Sequence, residues 1–249
     1  MPRPPRPGAT RQPESGSGPR PVRSYVRREG RLTPAQRQAL VSCWSRYGLD
    51  AHTPFDAQTV FGRRAPLTLE VGFGDGINLE TLARRFPEED FIGVDVYRPG
   101  LGALLRRLVP SPLTNLRLYA TDVMEVLETS LPETCLDRVL IFFPDPWPKR
   151  RHHKRRLVAP PLLDHLARVL RDGGGVLLAT DDAGYAAAMA ACFAADSRFR
   201  DLAACRNDPA AFRVPTRFER RARQRGADIH DLRVARIRSP AVGSGTDEG

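Results

Sequence analysis

The sequence predicts an α/β protein: a doubly wound, mostly parallel sheet of seven strands with helices on both of its faces. Two observations predict this class. From Pro66 onward, apolar segments of strand length alternate with segments whose apolar residues recur at helical spacing. A glycine-rich turn, 72–76, directly follows the first of the apolar segments. Alternating strands and helices favour parallel pairing, because each helix returns the chain to the same edge of the sheet.

The first predicted element is a helix that begins at Pro34. Thr33 and Gln36 form a capping-box pattern, and proline suits the first helical position. Apolar residues then recur at helical spacing until Gly48, which is expected to end the helix. Trp44 is expected to lie in the core. The loop that follows, to residue 65, has two expected aromatic anchors, Phe55 and Phe61.

The remaining elements follow in order along the chain. The seven predicted strands are 67–71, 91–94, 116–120, 138–143, 176–179, 199–205 and 229–237. The predicted helices between them are one that follows the glycine turn and reaches residue 86, then 99–108, 161–170 and 185–193. The glycines 173–175 are expected to end the helix over 161–170.

These elements fit one domain over residues 33–239. Residues 1–32 are rich in Pro, Arg, Gly and Ser, and they hold too few large apolar side chains to offset the entropy of ordering, so a disordered arm is expected there. Residues 240–249 are expected to form a flexible tail.

Composition favours a polyanionic partner. The chain has 249 residues, a net charge of +10 and 41% hydrophobic residues, which fits a globular protein that binds nucleic acid. An anionic membrane surface is the alternative, but no strongly amphipathic basic helix stands out. The longest apolar run, 186–195, is too short to span a bilayer, and the N-terminus lacks the apolar core of a signal peptide. The four cysteines are scattered, which favours a reduced, cytoplasmic location.

Acidic residues lie at or near the ends of several predicted strands. In a parallel sheet these ends share one edge, where ligands bind in this fold class. Glycines at 72, 74 and 76 permit a tight turn and close approach by a ligand. The acids are Glu70, Asp95, Asp122, Asp145 and Asp181.

Two cofactors are compatible with this glycine loop. NAD prefers the spacing G-x-G-x-x-G, with its pyrophosphate over a helix N-terminus. Here Gly72, Gly74 and Gly76 give G-x-G-x-G, and the carboxylates of Glu70 and Asp75 flank them. Carboxylates repel a pyrophosphate and suit the sulfonium of S-adenosylmethionine. The sign of charge therefore favours S-adenosylmethionine, with NAD as the alternative.

The segment after the fourth strand joins a rigid turn to a basic run. Within 144–148, three prolines alternate with Asp145 and Trp147 and force the chain out of the sheet on a fixed path. A basic run, 149–156, follows at once and contains both lysines of the chain. A solvated loop or a localisation signal would explain a basic run alone, but its attachment to the turn favours contact with an RNA backbone. The two histidines of the run have no partners at ligand spacing, so no metal is expected.

Five motifs carry a resemblance to a known family. They are 69–76, 93–100, 143–149 with its basic run, 179–181 and 216–219. Over about residues 60–238 the chain resembles the bacterial tRNA (guanine-N7-)-methyltransferases, which are class I S-adenosylmethionine-dependent enzymes with a Rossmann-like methyltransferase fold. The resemblance implies methylation of guanine N7 in tRNA to 7-methylguanosine, at position 46 of the variable loop.

The resemblance also implies roles for single residues, with Asp145 as the catalytic residue. Together with the glycine loop, the expected cofactor-binding residues are Glu70, Gly72, Gly74, Asp95, Asp122 and Asp145. The expected substrate-binding residues are Lys149, Asp181, Thr216, Arg217, Phe218 and Glu219. The expected RNA-contacting residues are Arg150, Arg151, His152, His153, Lys154 and Arg155.

The sequence departs from the family pattern at a few positions. Asp95 stands where Glu is expected and Arg217 where Lys is frequent. Ala222, Arg225 and His230 replace an expected Gly, Leu and Trp, which affects the packing of the last loop.

Other functions stay open at this point. An amino-group methyltransferase uses a related Asp/Asn-Pro-Pro-aromatic turn, and a non-catalytic RNA-binding protein could share the fold. Trp147 is expected either to stack on the guanine or to pack in the core. A monomer is the expected state, with a homodimer as the alternative.

Overall fold

A computed structural model describes residues 30–202 and 212–237 of the chain. Within them, seven strands form one sheet with the spatial order β3-β2-β1-β4-β5-β7-β6. The strands are β1 Leu67–Val71, β2 Asp90–Val94, β3 Leu116–Tyr119, β4 Leu136–Phe142, β5 Leu170–Thr180, β6 Phe199–Asp201 and β7 His230–Arg236. The helices are α1 Pro34–Tyr47, α2 Ala57–Phe61, α3 Ile77–Arg85, α4 Arg98–Leu108, α5 Val123–Thr129, α6 Pro160–Val169, α7 Ala183–Ala194, α8 Arg217–Gln224 and a 3₁₀ helix Arg150–Arg155.

The sheet is mostly parallel, which confirms the predicted fold class. Strands β1 to β5 pair in parallel, whereas β7 runs antiparallel to both β5 and β6. The strand order reverses between β1 and β4, which are direct neighbours. The crevice beyond the carboxyl ends of strands at such a reversal is where ligands bind in doubly wound folds.

Two apolar clusters cover the two faces of the sheet. Strands β1 and β2 are buried along their whole length, as expected of central parallel strands packed on both sides. Leu69 and Leu178 belong to one cluster, and Leu118 and Leu140 belong to the other. The sheet is therefore a rigid base for the side chains at its carboxyl edge.

The start of α1 confirms the capping-box prediction. The Thr33 hydroxyl accepts from Gln36 N at 3.2 Å, and Thr33 N donates to Gln36 Oε1 at 2.9 Å. Gly48 N donates to the carbonyl of Trp44 at the end of the helix. Trp44 itself is partly buried and packs against the core, so it lies at the edge of the core and not within it.

The sequence predicts that the glycines 173–175 end a helix, and this prediction is wrong. Helix α6 ends at Val169, and β5 begins at the next residue and contains the glycines. Leu136 pairs with Leu170, and Arg138 pairs with Gly175, so β5 holds extra residues against β4. The glycines form an irregularity of the strand, and Gly173 adopts a positive φ of 79° there.

Three α-helices were not predicted from the sequence. They are short, and each begins at a capping side chain that accepts a backbone N–H: Asp56 before α2, Asp122 before α5 and Thr216 before α8. These caps were the available signals. Of the predicted sixth strand, residues 203–205 lie outside the described residues. None of the helices in the described ranges is long and apolar enough to cross a membrane.

Candidate active site

The glycine loop after β1 is held against the end of β2. Gly72 N donates to the carbonyl of Val94 at 2.8 Å, and Gly74 N donates to Asp95 Oδ2 at 2.8 Å. The other oxygen, Asp95 Oδ1, accepts from Tyr97 N at 2.7 Å. Gly72 and Gly74 have φ values of 70° and 59°, which glycine adopts without strain. Burial raises the pKa of the Asp95 carboxyl, although its backbone donors oppose the shift.

Helix α4 begins in direct contact with this loop. A Cβ atom on Gly100 would overlap the carbonyl oxygen of Gly74. Gly100 therefore permits the close approach of the helix to the loop. Sequence reasoning assigned it no role, and its only signal was its place in the motif 93–100.

Glu70 carries a carboxyl group into the core beside the loop. Its side chain is buried, and Asn78 Nδ2 donates to Glu70 Oε2 at 3.1 Å. Burial raises the pKa of Glu70 to about 8, and the negative charges of Asp95 and Asp75 add to the shift. A buried carboxyl among other acids disfavours a pyrophosphate and fits a ligand that brings a positive charge. The site therefore fits S-adenosylmethionine.

Asn78 joins the cofactor acid to a later part of the chain. While its amide nitrogen donates to Glu70, its oxygen accepts from Val214 N at 2.7 Å. The segment before α8 is thereby placed over the start of α3. Sequence reasoning missed Asn78, because this contact joins residues 136 positions apart.

Asp122 lies at the carboxyl end of β3 and caps α5. Its Oδ1 accepts from Met124 N at 3.0 Å, and its side chain is partly exposed. This cap uses Oδ1, so Asp122 can cap the helix and also accept from a ligand with Oδ2.

The proline-rich turn extends β4 by one residue and then leaves the sheet. Phe143 N donates to the carbonyl of Ala179 at 2.7 Å. Phe143 and Trp147 have φ values of 52° and 47°, in the left-handed region that bulky residues avoid. Such conformations persist where the surrounding structure holds them, and they cluster at functional sites.

Arg156 and Tyr185 hold the turn in place. Arg156 Nε donates to the carbonyl of Pro146 at 2.9 Å, and the guanidinium lies 4.7 Å from the centre of the Tyr185 ring. The buried Tyr185 hydroxyl accepts from Val158 N at 3.1 Å. Burial raises the pKa of Tyr185 to about 12, and the nearby charge of Asp145 adds to the shift. Asp145 directly precedes Pro146, the residue that Arg156 holds. Arg156 was expected to grip RNA with the rest of the basic run, but it points inward.

Trp147 lies outside both apolar clusters. The Arg155 guanidinium is 5.1 Å from the centre of its ring, and the His152 ring meets it edge-on at 5.8 Å. The indole thus packs against the basic run and not in the core, so the core alternative for Trp147 is wrong.

Residues Arg150–Arg155 of the basic run form an exposed 3₁₀ helix. His152 is the one member of this helix that is partly buried, and partial burial with the surrounding cations lowers its pKa. The exposed members are Arg150, Arg151, His153, Lys154 and Arg155, with Lys149 just before them. The described residues contain no cluster of His, Cys, Asp or Glu that could hold a metal ion.

The end of β5 meets α8. Asp181 Oδ2 lies 3.3 Å from Arg225 Nη2, so the arginine that replaces an expected leucine forms an ion pair. Thr216 caps α8 by accepting from Glu219 N at 3.1 Å. Arg217 and Phe218 are exposed.

Glu219 is the expected substrate-binding residue that the structure places inside the protein. Its side chain is 2% exposed, and it pairs with Arg223 at 2.8 Å and with Arg213 at 3.3 Å. Its Oε2 atom has no hydrogen-bond partner among the described residues. A cavity of about 240 Å³ beside it is also lined by Phe142 and Asp231. Glu219 thus braces α8 and faces this cavity.

Comparison with known proteins gives one family. A family model described as “Putative methyltransferase” matches residues 64–232. The tRNA (guanine-N(7)-)-methyltransferase of Nitrosococcus oceani is 48% identical over 220 residues, which cover 88% of this chain and 92% of that protein. The protein of the same name from Halorhodospira halophila is 45% identical over 231 residues, which cover 91% of this chain and 100% of that protein.

The fold is also found among solved structures. The 16S rRNA methyltransferase KamB aligns with a TM-score of 0.52 and 19% identity, over 75% of this chain and 95% of that chain. This likeness concerns the fold alone. Because the family model matches more than half of the chain and relatives at 45–48% identity cover most of it, the chain belongs to the tRNA (guanine-N(7)-)-methyltransferase family.

Proposed function

We propose that this protein transfers the methyl group of S-adenosylmethionine to N7 of guanine in tRNA and forms 7-methylguanosine. The observation that carries the proposal is the identity of 45–48% to tRNA (guanine-N(7)-)-methyltransferases over most of the chain. The arrangement of the carboxyl edge supports it. The acidic glycine loop follows β1, and its neighbour β4 is followed by the rigid turn with its aspartate and by the exposed basic run. The resemblance extends the proposal to position 46 of the tRNA, and we propose a monomeric, cytoplasmic enzyme.

The glycine loop and the strand-end acids hold the cofactor. S-adenosylmethionine supplies a methyl group bonded to a positively charged sulfur. Glu70 provides a buried negative charge for a cationic ligand, because a nearby cation favours the ionised carboxyl. Asp95 accepts with both oxygens from the backbone and so fixes the loop for ligand contact. Gly72 and Gly74 leave the ligand room, and Asp122 offers its free carboxylate oxygen from β3.

Asp145 acts by position and charge. Guanine N7 carries a free lone pair, so no base has to remove a proton before the methyl is accepted. The purine gains positive charge during transfer, and a fixed carboxylate nearby stabilises that charge. Asp145 also accepts hydrogen bonds from the donors on the Watson–Crick edge of guanine, which holds N7 in line. Arg156 and Tyr185 keep the turn, and hence Asp145, in place.

The basic run and the end of α8 receive the RNA. The exposed cations from Lys149 to Arg155 neutralise phosphates, and Trp147 orients the base next to Asp145 by stacking. Asp181 and the start of α8, from Thr216 to Phe218, contact the substrate from the β5 side. The buried Glu219 supports them through its ion pairs with Arg213 and Arg223.

Replacing Asp145 by Asn tests the electrostatic part of this proposal. The variant keeps the shape and removes the charge, so methylation of unmodified tRNA is expected to fall by about 100-fold or more. The measurement is the initial rate with labelled S-adenosylmethionine, followed by mapping of the methylated nucleoside. Asp172→Asn is the matched control, because Asp172 pairs with Arg236 in the irregular start of β5, away from the carboxyl edge.

The outcomes separate the alternatives. Label in 7-methylguanosine with the wild-type protein supports the proposed reaction, and label on an exocyclic amino group would make the chain an amino-group methyltransferase. Binding of tRNA without binding of S-adenosylmethionine in calorimetry would favour a non-catalytic RNA-binding protein. A wild-type rate for the Asp145→Asn variant would remove Asp145 from catalysis.

A further inference from the structure

Helix α8 has an exposed face that consists largely of arginines. Glu219 and Ala222 are its buried residues and attach it to the protein. The rest of the helix and its C-cap carry exposed side chains: Arg217, Phe218, Arg220, Arg221, Arg223, Gln224 and Arg225. Among them, only Arg217 and Phe218 belong to the proposed substrate-binding residues.

Two of these arginines are paired and three are not. Arg223 pairs with Glu219, and Arg225 pairs with Asp181. Within the part of the chain that the structure describes, no ion pair is formed by the other three, which are Arg217, Arg220 and Arg221. Three positive charges are therefore available to an external partner.

The arrangement of the unpaired arginines costs helix stability. Arg220 and Arg221 lie three and four positions after Arg217, and like charges at these spacings destabilise a helix by about 0.2–0.5 kcal/mol per pair. Arg217 also places a cation at the N-terminal end, where the helix dipole disfavours it. In α3, by contrast, Arg84 is balanced by Glu80 four positions earlier. A polyanion bound to α8 would relieve this repulsion.

The location of α8 favours RNA as the polyanion that binds there. The ion pair with Asp181 ties the helix to the carboxyl end of β5, next to β4, which leads to Asp145. Phe218 is 50% exposed and lies three positions before Arg221 on the helix surface. An exposed aromatic ring among arginines suits unpaired bases and phosphates together. An acidic protein surface would explain the arginines but not the ring.

We propose that Arg220 and Arg221 form a second phosphate-binding surface for the substrate tRNA, separate from the exposed part of the basic run, Lys149–Arg155. This inference rests on the proposed function, since it takes tRNA as the polyanion. The basic run follows β4, and α8 leads into β7 on the far side of β5. The basic run and α8 thus contact the RNA backbone on both sides of the carboxyl end of β5, which leads to Asp181.

The test is the salt dependence of tRNA binding by an Arg220→Gln/Arg221→Gln variant. Glutamine keeps helix propensity, and the removal of like charges leaves the fold at least as stable. Loss of two phosphate contacts is expected to make the slope of log K against log salt shallower by about 1.5, and to weaken binding roughly ten- to fortyfold at about 0.1 M salt. Fluorescence anisotropy with labelled, unmodified tRNA measures both.

The matched control is Arg64→Gln/Arg106→Gln. It removes the same charge from exposed positions before β1 and in the last turn of α4, at the opposite edge of the sheet. This control is expected to keep the wild-type slope. If the α8 variant keeps it too, or if both variants change it equally, the α8 surface is not an RNA site.

The methylation assay separates this inference from the proposed function. Formation of 7-methylguanosine by the wild-type protein, combined with an unchanged slope for the α8 variant, overturns the inference and leaves the function standing. A reduced slope without 7-methylguanosine supports an RNA site on α8 and overturns the reaction.

Discussion

Glu70 shows how one residue can be costly for folding and suited to a ligand. A carboxyl group buried beside Asp75 and Asp95 is protonated near neutral pH, because its pKa is raised to about 8. Glutamine has nearly the same shape and would avoid this cost. A glutamate at this position is best explained by a positively charged ligand, which lowers the pKa again when it binds.

The pH dependence of stability tests the state of Glu70. Its pKa is about 8 in the folded protein against an ordinary value of 4.5. Below pH 4.5 the group is protonated in both states. From pH 4.5 to 8 only the unfolded state releases the proton, so this residue lowers the free energy of unfolding as pH rises, and above pH 8 the loss is complete.

The Glu70→Gln variant isolates this contribution. The stability of the variant minus that of the wild type is expected to rise between pH 5 and pH 8 and then to level off. Urea unfolding of the cofactor-free proteins across this range measures the difference. Asp172→Asn, at an exposed carboxyl, should show no such rise. A difference that does not change with pH would mean that Glu70 is ionised in the folded protein.

At the scale of elements, the contact between α4 and the glycine loop joins the fold to the site. Gly100 lies in the first turn of α4, and a methyl group there would meet the carbonyl of Gly74. The N–H group of the same residue, Gly74, donates to Asp95. A Cβ atom on Gly100 would overlap the carbonyl oxygen, so relief of the overlap requires the helix or the loop to move, and a movement of the loop also moves the carboxylate.

Replacing Gly100 by Ala is expected to disturb both folding and cofactor binding. Overpacking of this kind costs about 1–3 kcal/mol, and the displaced loop should weaken S-adenosylmethionine binding as measured by calorimetry. Gly184→Ala in α7 is the matched control. Its Cβ would meet Asp182 Oδ1 at an ordinary 3.4 Å, so this variant should be as stable as the wild type or more stable. Wild-type cofactor affinity in the Gly100→Ala variant would contradict the role given to this contact.

Elements with strong local signals were predictable from the sequence. The capping box of α1 and the apolar run of β1 followed by glycine both specify their elements within a few residues. Helix α8 was not predictable in this way, because it has little apolar surface and is held by ion pairs between Glu219 and Arg213 and between Arg225 and Asp181. The glycines 173–175 misled because the same residue that ends helices also permits irregular strands.

The residues of the candidate site also divide into those that the sequence predicts and those that it does not. The acids at strand ends were predictable, since parallel strands place their carboxyl ends at one edge. The roles of Asn78 and Gly100 and the inward turn of Arg156 depend on contacts between distant segments. No pattern within a short window of sequence encodes such contacts.

At the scale of the whole molecule, one continuous sheet connects the cofactor side to the RNA side. Strand β1 carries the glycine loop, its neighbour β4 carries the proline-rich turn, and β5 carries Asp181. Asn78 adds a link from Glu70 to the segment before α8. The two binding regions therefore share one rigid base, and we propose that residues 33–239 form a single domain.

The two tryptophans allow a test of this single domain. Trp44 lies in α1, which packs on α4 at the β3 side of the sheet, and Trp147 lies beyond β4 next to the basic run. In a cooperative domain, the fluorescence of each should change together with the secondary structure, at the same midpoint and with the same dependence on urea. Fluorescence of the variants Trp44→Phe and Trp147→Phe isolates one probe in each. Circular dichroism of each variant is the control for its own stability, because the two substitutions can shift the midpoint differently.

Agreement of fluorescence with circular dichroism in both variants is the expected result, since no break in the sheet separates the two regions. A fluorescence transition that precedes the loss of secondary structure in only one variant would show that its side of the molecule unfolds as a separate unit.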